Sequence, residues 1–307
     1  MDESPVNDMT GIYTDPSGRQ FHYVHIDNGS NRLGIHFSAF FGDWGDDPKY
    51  RATFGGYFHR LKMLGSEPAY DWLFLCDAYG ADENGTYYIG KDIDRFVDNA
   101  MESIFADVGV GTRYAPESIV TVGSSMGATA AIRYGIRHRI RGIIAISPHI
   151  DLDTSARMQG RERHVAWVLA DGDTQAVHNR PTTRELRTLV ANHVASGEKL
   201  PALFVQSFGD DIGVHHEQVI PFVTEWRKCG SVFLDERRLG GHTSEFATRE
   251  LLLDAMSRLL LESSPPINRY KWSRSFRPYG LMRGLFLRSK MILGRLLRRT
   301  ASSERSR

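Results

Sequence analysis

Apolar residues fall into two alternating rhythms along most of this chain. Short β-branched or aromatic runs at residues 21–25 (FHYVH), 33–37 (LGIHF), 72–76 (WLFLC), 119–122 (IVTV), 142–146 (GIIAI), 203–206 (LFVQ) and 232–234 (VFL) read as strands. Most lack a polar face, as strands buried on both sides do. Between them, residues 92–105, 126–137, 183–195, 217–228 and 244–261 carry apolar side chains at three- and four-residue spacing, which predicts helices. Strands alternating with helices give the α/β class, with a mainly parallel central sheet and helices on both faces. The turn signal Asp27-Asn28-Gly29-Ser30 between the first two runs predicts an N-terminal antiparallel hairpin.

Three stretches break the rhythm. Residues 40–56 are rich in Gly and Asp, and residues 147–201 are too long for an ordinary connection, which suggests a small cap insertion. Ser263-Ser264-Pro265-Pro266 then divides a body, residues 1–264, from a tail, residues 265–307.

Composition narrows the class. With 307 residues, 41% hydrophobic and 24% charged, the chain is long enough for a sizeable core and is not a disordered polymer. Two distant cysteines, Cys76 and Cys229, exclude a disulfide scaffold. The acidic start Met1-Asp2-Glu3-Ser4-Pro5 has the wrong character for a signal peptide, so a cytoplasmic location is expected. Of 38 Lys+Arg and 37 Asp+Glu, residues 268–307 hold 12 basic groups and one acid, leaving 26 and 36 to the rest. An acidic body offers no nucleic-acid surface. The tail is different: from Leu281 to Arg299 a helical projection gathers Leu and Ile on one side and Arg and Lys on the other. That pattern suits peripheral contact with an anionic membrane at the inner face.

The candidate chemistry centres on Gly123-Ser124-Ser125-Met126-Gly127, a G-x-S-x-G sequence placed between a strand and a helix. A tight turn there would expose Ser125 Oγ at the C-terminal edge of the sheet. A serine hydroxyl needs a base, and His242, in Leu239-Gly240-Gly241-His242-Thr243 after the last strand, is the best placed. The base needs a carboxylate: Asp211 is favoured, and Asp210 stays open as the alternative acid. His215-His216-Glu217 lacks a second ligand cluster, and the pairs Asp151/Asp153 and Asp171/Asp173 lack the remaining EF-hand positions, so no metal is expected. No nucleotide-binding glycine motif is present, and no cofactor is implied.

The order Ser125, Asp211, His242 on successive loops of a β/α chain resembles the α/β-hydrolase superfamily over residues 10–262. The resemblance implies an α/β-hydrolase fold, a Ser–His–Asp triad on these positions and an oxyanion hole. One donor would be the Met126 amide; the other would come from Ala39 or Phe40, in the loop after LGIHF. There is also a general similarity to the hydrolase-like modules of accessory secretion and capsule-associated proteins. Polar and aromatic residues in the loops (Asp43, Trp44, Asp46, Asp47, Asp77, Tyr79, Asp82, Glu83, Tyr87, Tyr88) suit a saccharide. The expectation is a serine esterase or acyltransferase acting on a small-molecule or saccharide ester. The alternative is a non-catalytic hydrolase-like binding or assembly module in glycan or cell-envelope biosynthesis.

Overall fold

The computed structural model describes residues 10–40, 58–80, 85–91 and 95–261. The tail, its Leu281–Arg299 segment, most of residues 40–56, and the loop residues Asp43, Trp44, Asp46, Asp47, Asp82 and Glu83 lie outside the described residues. Among the described residues, no helix is long and apolar enough to cross a membrane.

Eight strands form one sheet: β1 (Thr10–Thr14), β2 (Gln20–Ile26), β3 (Leu33–Phe37), β4 (Asp71–Leu75), β5 (Ile119–Ser124), β6 (Gly142–Ile146), β7 (Ala202–Phe208) and β8 (Val232–Arg237). Their order across the sheet is β1-β2-β4-β3-β5-β6-β7-β8. β1 and β2, and β2 and β4, pair antiparallel; every other neighbour is parallel. This is the α/β-hydrolase fold.

An N-terminal antiparallel hairpin is present, but its strands differ from those expected. β2 pairs with β1 through the turn at Asp15-Pro16-Ser17-Gly18, whereas β3 lies beyond β4 and is parallel to it. The reason is local. Asp15 Oδ1 accepts from Ser17 N and Arg19 N, both at 2.9 Å, and Gly18 takes φ 86° to close the turn. The signal at residues 27–30 serves another end: Asp71, buried at the start of β4, accepts from Asn28 N at 2.7 Å and Ser30 N at 3.0 Å. The chain is thereby tied across the end of β4 before it enters β3. β1 carries Gly11 and two threonines and is too polar to have stood out.

The pleat sends alternate side chains into two apolar layers. Leu33, Ile35, Leu73, Leu75, Ile143, Ala145 and Leu203 face one side, against α2 (Phe96–Val108), α3 (Met126–Arg137), α6 (Glu185–Ser196) and α7 (Ile220–Trp226). Trp72, Phe74, Val120, Val122, Ile144 and Ile146 face the other, against α1 (Leu61–Leu64) and α8 (Arg249–Leu260). α4 (Leu152–Gln159) and α5 (Glu162–Ala170) pack together within the long β6–β7 connection, which also carries α6. The start of α8 was expected at residue 244. Thr248 instead caps it, its side-chain oxygen accepting from Leu251 N at 3.3 Å.

Candidate active site

The parallel strands all end on one edge, and the loops that leave it build the site. β5 runs into Ser125, whose backbone sits at φ 54°, ψ −118°, before α3 begins at Met126. A non-glycine residue there costs about 1–3 kcal/mol, a strain typical of sites that need a side chain held out. The turn is fixed by Ser125 N–H donating to Ile146 O at 2.8 Å. Its tightness depends on Gly123 and Gly127: a Cβ on the first would overlap the Gly127 carbonyl, and one on the second the Phe37 carbonyl. Ser125 is partly exposed while its chain neighbours are buried.

His242 comes from the loop between β8 and α8. Its Nε2 accepts from Ser125 Oγ at 2.7 Å, and its Nδ1 donates to Asp211 Oδ2 at 3.0 Å. Asp211 follows β7 and is held by its own N–H donating to Phe208 O at 3.0 Å. Asp210 points elsewhere: it accepts from Gly241 N at 2.9 Å and Gly240 N at 3.2 Å, and so shapes the loop that presents the histidine. The fold therefore brings Ser125, His242 and Asp211 into one line, with Asp210 bracing it from behind.

Of the expected oxyanion donors, Met126 opens α3, where an amide has no intrahelical acceptor. The Ala39 amide does not fit that role, because it donates to His59 Nδ1 at 2.9 Å. Phe40 is the member of the pair left for it. Its ring lies under the Arg161 guanidinium at 3.9 Å and meets the edge of His164 at 4.8 Å.

The loop aromatics need correction. Tyr87 and Tyr88 are core side chains, 1% and 0% exposed. Tyr88 Oη donates to Leu75 O at 3.0 Å, and Tyr79 Oη to Gln20 O at 2.5 Å. Asp77, also buried, accepts from Thr86 N at 2.6 Å and Tyr88 N at 2.7 Å. These four organise the β4–α2 connection and do not form a polar ligand surface. His215 is likewise committed, between Ser207 Oγ at 2.8 Å and Glu236 Oε1 at 3.0 Å. Among the described residues, no group of three or more His, Cys, Asp or Glu side chains could hold a metal ion.

Two groups escaped the sequence reading. His149, just after β6, is fully buried and stacks on the ring of His242. Its signal was available, since it is a histidine at the same strand edge as the serine. Beneath the Ser125 turn, Arg60 donates to Ser124 Oγ at 2.8 Å and approaches His36 Nε2 at 3.2 Å. Burial pulls the Arg60 guanidinium down to about 10. No pattern in the sequence marks Arg60, which reaches Ser124 from the turn that opens α1.

Burial holds His36 and His149 well below the usual histidine range, and it takes His59 down to about 3 with Arg60 adding repulsion. As pH falls below 6.5 the unfolded chain takes up protons that the folded chain refuses, so stability is complete above 6.5 and declines beneath it. Each such group costs about 1.4 kcal/mol per pH unit. Asp77, pushed up to about 6 by burial, titrates in the opposite sense and offsets one of the three. Urea unfolding between pH 7 and 5 should therefore show a falling midpoint. A flat profile would contradict neutral buried histidines.

The fold is the α/β-hydrolase fold, and at its strand edge Ser125, His242 and Asp211 are hydrogen-bonded in line. No family description and no curated protein matches the chain. Solved structures do. The capsule O-acetyltransferase of Neisseria meningitidis serogroup A is 17% identical, with 82% of this chain and 99% of that one covered and a TM-score of 0.58. A mutant of that enzyme in complex with CoA superposes with a TM-score of 0.59. FphF, a fluorophosphonate-binding serine hydrolase of Staphylococcus aureus in a substrate-bound form, is 10% identical over 82% of this chain and 98% of that one, with a TM-score of 0.56. At such identities the likeness is one of fold.

Proposed function

We propose that the chain is a serine hydrolase or acyltransferase that cleaves or transfers an ester-linked acyl group through a covalent acyl-Ser125. The observation that carries this is the continuous line from Ser125 Oγ through His242 to Asp211, at 2.7 and 3.0 Å. In this reading Ser125 Oγ attacks the acyl carbonyl and gives its proton to His242 Nε2. Asp211 fixes the tautomer and stabilises the imidazolium. The Met126 and Phe40 amides receive the oxyanion, a contribution of about 3–4 kcal/mol for a well-placed donor. His242 then protonates the leaving oxygen. Water, or an acceptor hydroxyl deprotonated by the same histidine, releases the acyl group.

We infer that the acceptor in a transfer reaction is a saccharide hydroxyl. Support comes from the likeness to an enzyme that O-acetylates a capsule, because the loop aromatics no longer argue for it. Peripheral membrane contact through Leu281–Arg299 is part of the same proposal and rests on the amphipathic pattern of that segment.

The test is pre-steady-state hydrolysis of an aryl acetate. An acyl-enzyme route predicts a burst of phenol approaching one equivalent per chain where deacylation is slow, and added hydroxyl acceptors should compete with water for the acyl group. Wild-type protein that releases no phenol above buffer would overturn the reading.

A further inference from the structure

His149 leaves β6 at the edge that carries Ser125 and is fully buried. Its ring lies 4.7 Å from that of His242, with the planes inclined by 25°. Both of its nitrogens are engaged: Nδ1 with Tyr87 Oη at 3.2 Å and Nε2 with Gln159 Nε2 at 2.8 Å. With the Gln159 amide nitrogen turned to the ring and its oxygen left without a partner, His149 Nε2 is the acceptor and the single ring proton sits on Nδ1, directed to Tyr87. A second proton would set N–H against N–H at Gln159. Its main-chain oxygen is also held, accepting from Thr129 Oγ1 at 2.8 Å.

We propose that His149 is a positioning residue for the base: its neutral face holds His242 in line with Ser125 and Asp211 and stacks on the imidazolium that forms there, while Gln159 keeps it neutral. The inference rests on the acyl-serine reading. The two rings meet face to face, so no N–H···N path joins them and the proton taken from Ser125 stays on His242 until it reaches the leaving oxygen. With its lone pair engaged, His149 takes no part in the transfer. The proton passes from Ser125 Oγ to His242 Nε2 and on to the leaving group.

Gln159 is the last residue of α4. The base is thus braced from the β6–β7 connection as well as from the loops after β7 and β8. Tyr87 meets His149 from the β4–α2 connection, Arg161 acts on it from just beyond α4, and Ser125 and Asp211 meet His242. Burial, the His242 charge and Arg161 all oppose a proton on His149.

Gln159→Glu separates this role from mere packing. It replaces a donor by an acceptor, so His149 Nε2 must carry a proton, and a carboxylate or its ion pair with His149 then lies beside the base. Expected are a fall in kcat of about ten-fold with KM nearly unchanged, and an acid limb of kcat/KM displaced by roughly half a pH unit or more. Gln159→Met removes the same bond without offering an acceptor, and its limb should stay in place. His149→Phe, which keeps a face but no nitrogens, should retain more of kcat than His149→Ala.

A second readout needs no substrate. In a ¹⁵N NMR titration of the full chain, His242 should lose its proton at a different pH in Gln159→Glu than in Gln159→Met. Equal behaviour of the two variants in both measurements would overturn the inference even with Ser125 fully reactive. An unreactive Ser125 in folded wild-type protein would instead remove the reading beneath it.

Discussion

Asp211→Asn is expected to lower acyl turnover by about 10⁴-fold while the chain stays folded. Asp211 Oδ2 is the atom that accepts the His242 Nδ1 proton, at 3.0 Å. An amide at this place can turn its own N–H toward the ring. His242 would then accept at Nδ1 and carry its proton on Nε2, where Ser125 needs a lone pair. The imidazolium would also lose its counter-charge. Asp210→Asn should behave differently, because Asp210 bonds the amides of Gly240 and Gly241 and not the ring. Its amide oxygen can keep one of those bonds. The expected cost is a stability loss of about 1 kcal/mol and a turnover loss within roughly ten-fold. Steady-state hydrolysis of an aryl acetate by both variants, beside thermal melts, gives the ranking. The reverse order would transfer the orienting role to Asp210.

The three residues of the candidate site were legible because each sits where a periodic strand ends. G-x-S-x-G fell between a strand and a helix that the structure places at Ile119–Ser124 and Met126–Arg137. Asp210-Asp211 and His242 follow β7 and β8 in the same way. Choosing between the two aspartates needed coordinates, since adjacent residues in a loop share every sequence feature and differ only in direction.

The strands of the hairpin were misassigned for a related reason. Asp27-Asn28-Gly29-Ser30 has good turn chemistry, but Asp71, some forty residues later, captures its amides. Long-range capture of that kind leaves no local trace. Tyr87 and Tyr88 misled because a polar-looking connection was read as surface, whereas buried Asp77 gathers its backbone amides and turns the aromatics inward. His149 and Arg60 are side chains whose meaning depends on what lies across the sheet edge.

The central claim is that Ser125 is an activated nucleophile, and its reaction with a fluorophosphonate tests this most directly. Such a reagent offers a phosphorus centre that a serine oxygen attacks with loss of fluoride, and its tetrahedral product occupies the oxyanion position. Free serine hydroxyls react negligibly, because the alkoxide is scarce at neutral pH without a neighbouring base. His242 Nε2, at 2.7 Å, is the base that the proposal assigns. Intact-mass measurement of the full chain should show one adduct per molecule, mapped to the peptide holding Ser125. Ser125→Ala should show none, and His242→Ala should label at least about a thousand-fold more slowly, as expected when the parts act as a unit. Folded wild-type protein that stays unlabelled, or an adduct that persists in Ser125→Ala, would contradict the account and favour a hydrolase-like fold kept for binding.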